Sequence, residues 1–95
     1  MTFAVTVKYN HAPDAIASVR PTHRQYCADQ MKEGHYVVGG PFPDDSGALI
    51  VYEAESKEQV DSIMRNDPFC QAGVFASWEI QPWKIVMANS KLLPV

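Results

Sequence analysis

The sequence predicts an α+β fold with its elements in the order β-α-β-β-α-β, and three observations carry that prediction. Residues 2–9, TFAVTVKY, alternate apolar and polar at the two-residue period of a half-buried strand. From about Ser18 to Glu33 the apolar residues return at helical spacing, and a second helix opens at Ser56. Short β-rich runs lie at 35–40 and 48–53, between the two helical stretches, and a longer one spans 74–86.

In the first strand Phe3, Val5, Val7 and Tyr9 share one face, and Thr2, Ala4, Thr6 and Lys8 share the other. The following NHAPDA reads as a loop, with Pro13 and Asp14 as turn residues. In the first helix His23, Tyr26, Cys27 and Met31 fall on one face, while Arg24, Gln25, Asp29, Lys32 and Glu33 occupy the rest. Pro21 suits a first helical turn, where its missing N–H is not needed, and Gly34 suits the position just past the end.

His35 to Gly40 forms the second strand, stopped by GGPFPDDSG, with a turn at Asp44, Asp45, Ser46 and Gly47. Ala48 to Glu53 reads as a central strand because its ALIV run is continuously apolar. Ser56 caps the second helix, with Gln59 three residues on to complete a capping box, and Val60, Ile63 and Met64 form its apolar face. That helix ends near Asn66, because Pro68 disfavours helical backbone before it, and Asp67-Pro68 begins a short new turn that Gly73 closes. The last strand, Val74 to Val86, alternates through Val74, Ala76, Trp78 and Ile80, breaks at Pro82 and resumes at Trp83 and Ile85. A proline there marks an edge strand or a bulge. The tail, with Leu92, Leu93 and Val95, is apolar enough to reach across to a partner.

This order is that of the ferredoxin-like plait. Two helices cover one face of an antiparallel sheet, so pairing two sheets face to face into a dimeric α+β barrel is the expected way to cover the other. At 95 residues the whole chain, 1–95, is one domain. Its 46% hydrophobic and 20% charged residues are those of an ordinary globular protein. A net charge of −3, with eight Lys and Arg scattered along the chain, argues against nucleic acid. No apolar run approaches a membrane span, and the N-terminus lacks the features of a signal peptide, so a cytoplasmic protein is expected. Cys27 and Cys70 form no CxxC pair; reduced thiols fit that compartment, and Cys27 reads as a buried structural residue.

Few residues can do chemistry. His11, His23 and His35 are evenly spaced on a loop, a helix and a strand start, which matches no ligand geometry, so no metal is expected. His23 differs from the other two because it lies on the apolar face. It is either a satisfied structural histidine or a base, and the positive end of a helix starting near Pro21 would keep its ring neutral. Asp67 is an ordinary N-cap that can also orient an imidazole if one oxygen caps and the other faces a pocket. GGPFPDDSG is no phosphate loop; it is a plain hairpin connection or a place where backbone approaches a small ligand. Tyr9, Phe42, Phe69, Trp78 and Trp83 can line a cavity or fill a core.

The motifs themselves form a series: Arg20-Pro21-x-His23, Gly34 leading into Gly40-Pro41, Glu55-Ser56, Asn66-Asp67-Pro68-Phe69, Ala72-Gly73-Val74 and Gln81-Pro82-Trp83-Lys84. In order and spacing the chain resembles the YCII-like (YciI) family of dimeric α+β barrel proteins along nearly its whole length. The resemblance implies an active site on His23 and Asp67. Around them a small-molecule pocket bordered by Arg20, Tyr9, Gly40, Pro41, Phe42, Ser46 and Phe69 is expected, although the GPFPDDSG segment is shorter here than in some members. One activity of this type is dehydrochlorination of a chlorinated hydroxyquinol, and the related architecture hosts muconolactone isomerases. Neither needs a cofactor. The implied function is therefore a cofactor-independent lyase or dehydrochlorinase on a small hydroxylated ring, with Arg20 stabilising the anionic substrate or forming a surface ion pair. A muconolactone-isomerase-like activity, or a non-catalytic binding or accessory protein on the same barrel, is the alternative.

Overall fold

The computed structural model describes residues 1–93, so Val95 of the apolar tail lies outside them. Among the described residues four strands, β1 (Thr2–Tyr9), β2 (Tyr36–Pro41), β3 (Gly47–Glu53) and β4 (Phe75–Pro82), form an antiparallel sheet in the order β2-β3-β1-β4. Three helices, α1 (Pro13–Lys32), α2 (Lys57–Arg65) and α3 (Pro68–Gln71), connect them, and a short 3₁₀ turn at Ser90–Leu92 follows. The order is that of a ferredoxin-like plait, with β1 and β3 central and the proline-bearing β4 at an edge.

The alternation in β1 decides which side of the sheet carries the core. Phe3, Val5, Val7 and Tyr9 are buried together with Ala48, Ile50 and Tyr52 of β3. The helices add Ile16 from α1, Val60, Ile63 and Met64 from α2, and Phe69 from α3. Ser56 accepts from the Gln59 N–H, while the Gln59 side chain reaches one residue beyond the cap to take the Glu55 N–H. Gly34 and Gly73 hold positive φ values of 84° and 77° just past α1 and α3, where the backbone must turn left-handed to satisfy the last carbonyls.

Three expectations are corrected. α1 begins at Pro13 rather than Ser18, because Pro13 itself is preset for the first helical turn and the Ile16 N–H already bonds to the Ala12 carbonyl at 2.9 Å. Pro21 therefore lies inside the 20-residue helix, and His23 is far from the positive end. The dipole, which acts within the first turn, gives no reason for its ring to be neutral. Second, β4 ends at Pro82, with Trp83 held by one N–H bond to the Thr2 carbonyl. Its register shifts between Lys8 and Tyr9 of β1, so Ala76 bulges out and Phe75 takes the inward position that simple alternation assigned to Ala76. Third, Met31 is 55% exposed rather than part of a buried stripe.

Gly47 begins β3 where it crosses β1 closely. A Cβ at this position would press on the Val7 carbonyl, which is backbone and cannot move aside. A Cβ at Gly40 would meet nothing within 4 Å. Gly47→Ala is expected to lower the unfolding free energy by about 1–3 kcal/mol. Gly40→Ala should change it by less than about 0.5 kcal/mol. Urea unfolding followed by tryptophan fluorescence checks both, and equal midpoints for the two variants would contradict the close approach.

Candidate active site

The site grows from a fully buried carboxylate. Asp67 precedes Pro68, whose ring favours extended backbone before it, and this places Asp67 as the N-cap of α3 with φ −65° and ψ 134°. Its Oδ1 accepts the Phe69 N–H at 2.9 Å, and the same oxygen lies 2.7 Å from His23 Nδ1 on α1. Capping and orienting thus share one oxygen, rather than being divided between two. Oδ2 is buried with no hydrogen-bond partner among the described residues, so the two bonds at Oδ1 carry all the compensation for burying the group. A carboxylate only accepts, so in this bond the His23 Nδ1–H is the donor.

Phe69 fixes the plane of that imidazole. The two rings stack with centroids 4.0 Å apart and an interplanar angle of 5°, and Phe75 meets the imidazole edge-on at 6.4 Å. Tyr26, one turn further along α1, donates its hydroxyl to the Ile63 carbonyl at 2.8 Å and ties α1 to α2. The His23 side chain is 13% exposed: sheltered, but not sealed.

The exposed part opens on a cavity of about 350 Å³ between α1 and the β2–β3 side of the sheet. Tyr9, Arg20, Gly40, Pro41 and Phe69 line it beside His23, as do Arg24, Cys27, Tyr36 and Gly39. Phe42 and Ser46 are not in its lining. They belong to the adjoining turn, where the Phe42 N–H bonds to the Gly47 carbonyl and the Ser46 carbonyl accepts from the Tyr9 N–H. Arg20 is both a lining residue and an ion-pair partner, with Nη2 2.7 Å from Asp45 Oδ1. Trp78 is remote from this wall and donates to Asp61 of α2 at 3.0 Å, and Trp83 lies beyond β4.

Burial, with the Asp67 charge adding to it, pushes the Tyr9 hydroxyl up to about 12. At neutral pH Tyr9 therefore offers the cavity an O–H donor. Burial also pushes the Cys27 thiol up to about 12, with Asp67 raising it further and Arg24 opposing. Cys27 is only partly buried, so it is not the sealed structural thiol expected from sequence. His23, Cys27 and Asp67 bring ligand-type atoms within 4.8 Å of one another. That set is already engaged. Nδ1 and Oδ1 bond to each other, and Cys27 Sγ lies 3.7 Å from Nε2 and 3.9 Å from Nδ1, nearly equidistant and so on neither lone-pair axis. His11 and His35 take no part; His35 Nδ1 lies 2.9 Å from the Glu53 carbonyl.

The helical period places Arg24 on the solvated face, and no motif in the sequence points to Tyr36 or Gly39 as site residues. The signal for Arg24 was present: it lies one turn after Arg20 and beside His23, on a helix whose length the early Pro13 start reveals. Gly39 has a local reason, since a Cβ there would collide with the Tyr36 hydroxyl and come within 3.0 Å of the Leu49 carbonyl.

A family model described as the YCII-related domain matches residues 1–84. The chain belongs to the YCII-related family. Among solved structures, this YCII-related protein is similar to 5-chloro-2-hydroxyhydroquinone dehydrochlorinase (TftG) from Burkholderia phenoliruptrix AC1100 in complex with 2,5-dihydroxybenzoquinone. The match has a TM-score of 0.77 at 30% identity and covers 88% of this chain and 94% of that chain. No curated protein matches the sequence. No helix among the described residues of the YCII-related protein is long and apolar enough to cross a membrane.

Two measurements test this construction. Asp67→Ala removes the cap and leaves a sheltered Nδ1–H unpaired, and should cost about 2–4 kcal/mol of stability. Asp67→Asn, an equally good cap, should retain most of it; equal losses in urea unfolding would contradict the shared-oxygen arrangement. The second concerns pH. Cys27 ionises later in the fold than its ordinary 9.0, so the unfolded chain releases the proton first. The stability it contributes is complete below that value and is lost as pH rises toward about 12. Urea midpoints should fall above about pH 9, and less steeply in Cys27→Ala.

Proposed function

We propose that this YCII-related protein is a cofactor-independent general acid–base enzyme of the lyase type. Its substrate class is a small hydroxylated ring, of which a chlorinated hydroxyquinol is the leading member. The observation that carries the reading is the His23–Asp67 pair, oriented at 2.7 Å and opening on a cavity with mostly apolar walls. The similarity to a dehydrochlorinase bound to a dihydroxybenzoquinone supports the reaction class and the ring.

The chemistry starts from the Nδ1–Oδ1 bond, which leaves Nε2 on the outer edge of the ring. Nε2 takes the proton of a ring hydroxyl, and Asp67 stabilises the imidazolium that forms. Electron density moves into the ring, and the carbon bearing chlorine gains a proton. Chloride then departs with the C–Cl electron pair as a second hydroxyl loses its proton. The balance is one HCl released and one quinone formed, with no external oxidant, because the two electrons removed from the ring leave on chloride. The Tyr9 hydroxyl, protonated at neutral pH, can donate to a ring oxygen during these steps.

The same reading includes a homodimer. On the face of the sheet away from the helices, Val38 and Leu49 are 41% and 47% exposed, and a second sheet would cover them. Light scattering should give twice the 10.6 kDa protomer mass. The second reading, a non-catalytic binding protein, draws on the Phe69 stack and the Asp67 cap, which give both residues structural work.

His23→Ala separates the two. The enzyme reading expects a folded protein whose chloride release from a chlorinated hydroxyquinol falls by about 10²–10⁴-fold. Retained turnover in the variant, or no chloride release from the wild type with any hydroxyquinol, would refute it. A lower melting temperature with ring binding intact would favour the binding protein.

A further inference from the structure

We infer that Arg24 is the free anion-recognition residue of the cavity, selecting ring ligands that carry an anionic oxygen, while its neighbour Arg20 is held by Asp45. The inference rests on the reading that the cavity takes a small oxygenated ring, and it narrows that class to anions.

Residues 20, 23, 24, 27, 28 and 31 of α1 all line the cavity, at the spacing of a single helical stripe. Two guanidiniums one turn apart therefore flank His23 on the same wall. They are not equivalent. Arg20 Nη2 lies 2.7 Å from Asp45 Oδ1, with the two side chains 28% and 40% exposed, so its charge has a partly sheltered counter-ion. Asp45 is itself fixed in the β2–β3 turn, where it adopts a φ of 55° and donates its N–H to the Phe42 carbonyl at 2.9 Å. Arg24 has neither an ion pair nor a hydrogen bond from its side chain among the described residues.

No acidic side chain lines the cavity. The chain as a whole carries a net charge of −3, so the positive charge of this wall is local and not a consequence of composition. The charge of Arg24 reaches the cavity wall in opposition to that of Asp67: at the Cys27 thiol and the Tyr36 hydroxyl, both raised chiefly by burial, Asp67 raises further and Arg24 lowers. Facing it, Ala48, Ile50 and Pro41 make an apolar surface suited to a flat ring. A guanidinium at the rim presents paired N–H donors in one plane, which matches a carboxylate or two adjacent ring oxygens bearing a negative charge. The complementary ligand is flat, largely apolar on its faces and anionic at one edge.

Binding, not turnover, is the test, so it stands apart from the catalytic reading. Three rings are titrated by calorimetry: 2,5-dihydroxybenzoquinone as an acidic enol, 2,5-dihydroxybenzoate as a carboxylate, and hydroquinone as the neutral control. Wild type should bind at least one of the two anions more tightly than hydroquinone. Arg24→Gln should weaken that anion by about ten- to a hundredfold, the size of a charge-assisted hydrogen bond, and leave hydroquinone unchanged. Arg24→Lys should recover part of the loss. Dependence on Arg24 for only one anion supports the inference and identifies the group recognised. Equal affinity of wild type for all three rings, an unchanged anion affinity in Arg24→Gln, or an equal loss for hydroquinone overturns it while the cavity reading stands. Binding of no ring by wild type overturns both.

Discussion

A single oxygen atom, Asp67 Oδ1, organises this protein's candidate site. It is buried, it caps a helix of only four residues and it takes the His23 Nδ1–H from a helix elsewhere in the chain. A carboxylate cannot be placed in an apolar interior without such bonds, so folding α3 against α1 and aligning the imidazole are one event. The stack of His23 on Phe69 follows from it, because the residue whose N–H is capped is the one whose ring lies under the histidine. The Asp-Pro-Phe run sets the cap, the cap sets the phenyl ring, and both set the imidazole.

The cavity has a comparable origin in packing that is left unfinished. α2 inserts Val60, Ile63 and Met64 among the core residues, whereas the much longer α1 has Ile16 alone fully buried. Part of the α1 stripe that would ordinarily sink into a core instead looks across open space to β2 and β3. The wall it presents carries two arginines, a histidine and a thiol, and the opposing wall is mostly apolar, with the Tyr9 and Tyr36 side chains in it. A surface divided in that way orients a small amphipathic ligand before any specific bond forms.

Much of this could be seen in the chain itself. Strict alternation in β1, the Ser56 cap and the two glycines at helix ends specify elements by local chemistry, and local chemistry is what a sequence records directly. Pairing His23 with Asp67 needed more: the residues are 44 apart, side-chain chemistry makes the pair only one option, and the resemblance to a motif series favours it. The errors also have physical causes. Pro21 imitates a helix start, because a proline is tolerated at a first turn as well as at an exposed interior position where one carbonyl loses its partner. Ala76 and Phe75 exchange roles through a bulge, which is a property of how two strands pair and not of either strand alone. Arg24 was left on the solvent side since exposure and cavity lining are compatible for a residue at a rim.

The wall opposite α1 has a mutational consequence. At Gly39 and Gly40 it is main chain, and a Cβ at Gly39 would have to displace the Tyr36 hydroxyl and crowd the Leu49 carbonyl. Main-chain atoms are identical whatever the codon, so at the two glycines the wall is defined by backbone and not by a side chain. The helical side differs: Arg24, Ala28 and Met31 are exposed lining residues whose side chains define the cavity there. Substitutions at those helical positions alter the cavity's chemistry without touching the His23–Asp67 pair or the sheet behind it.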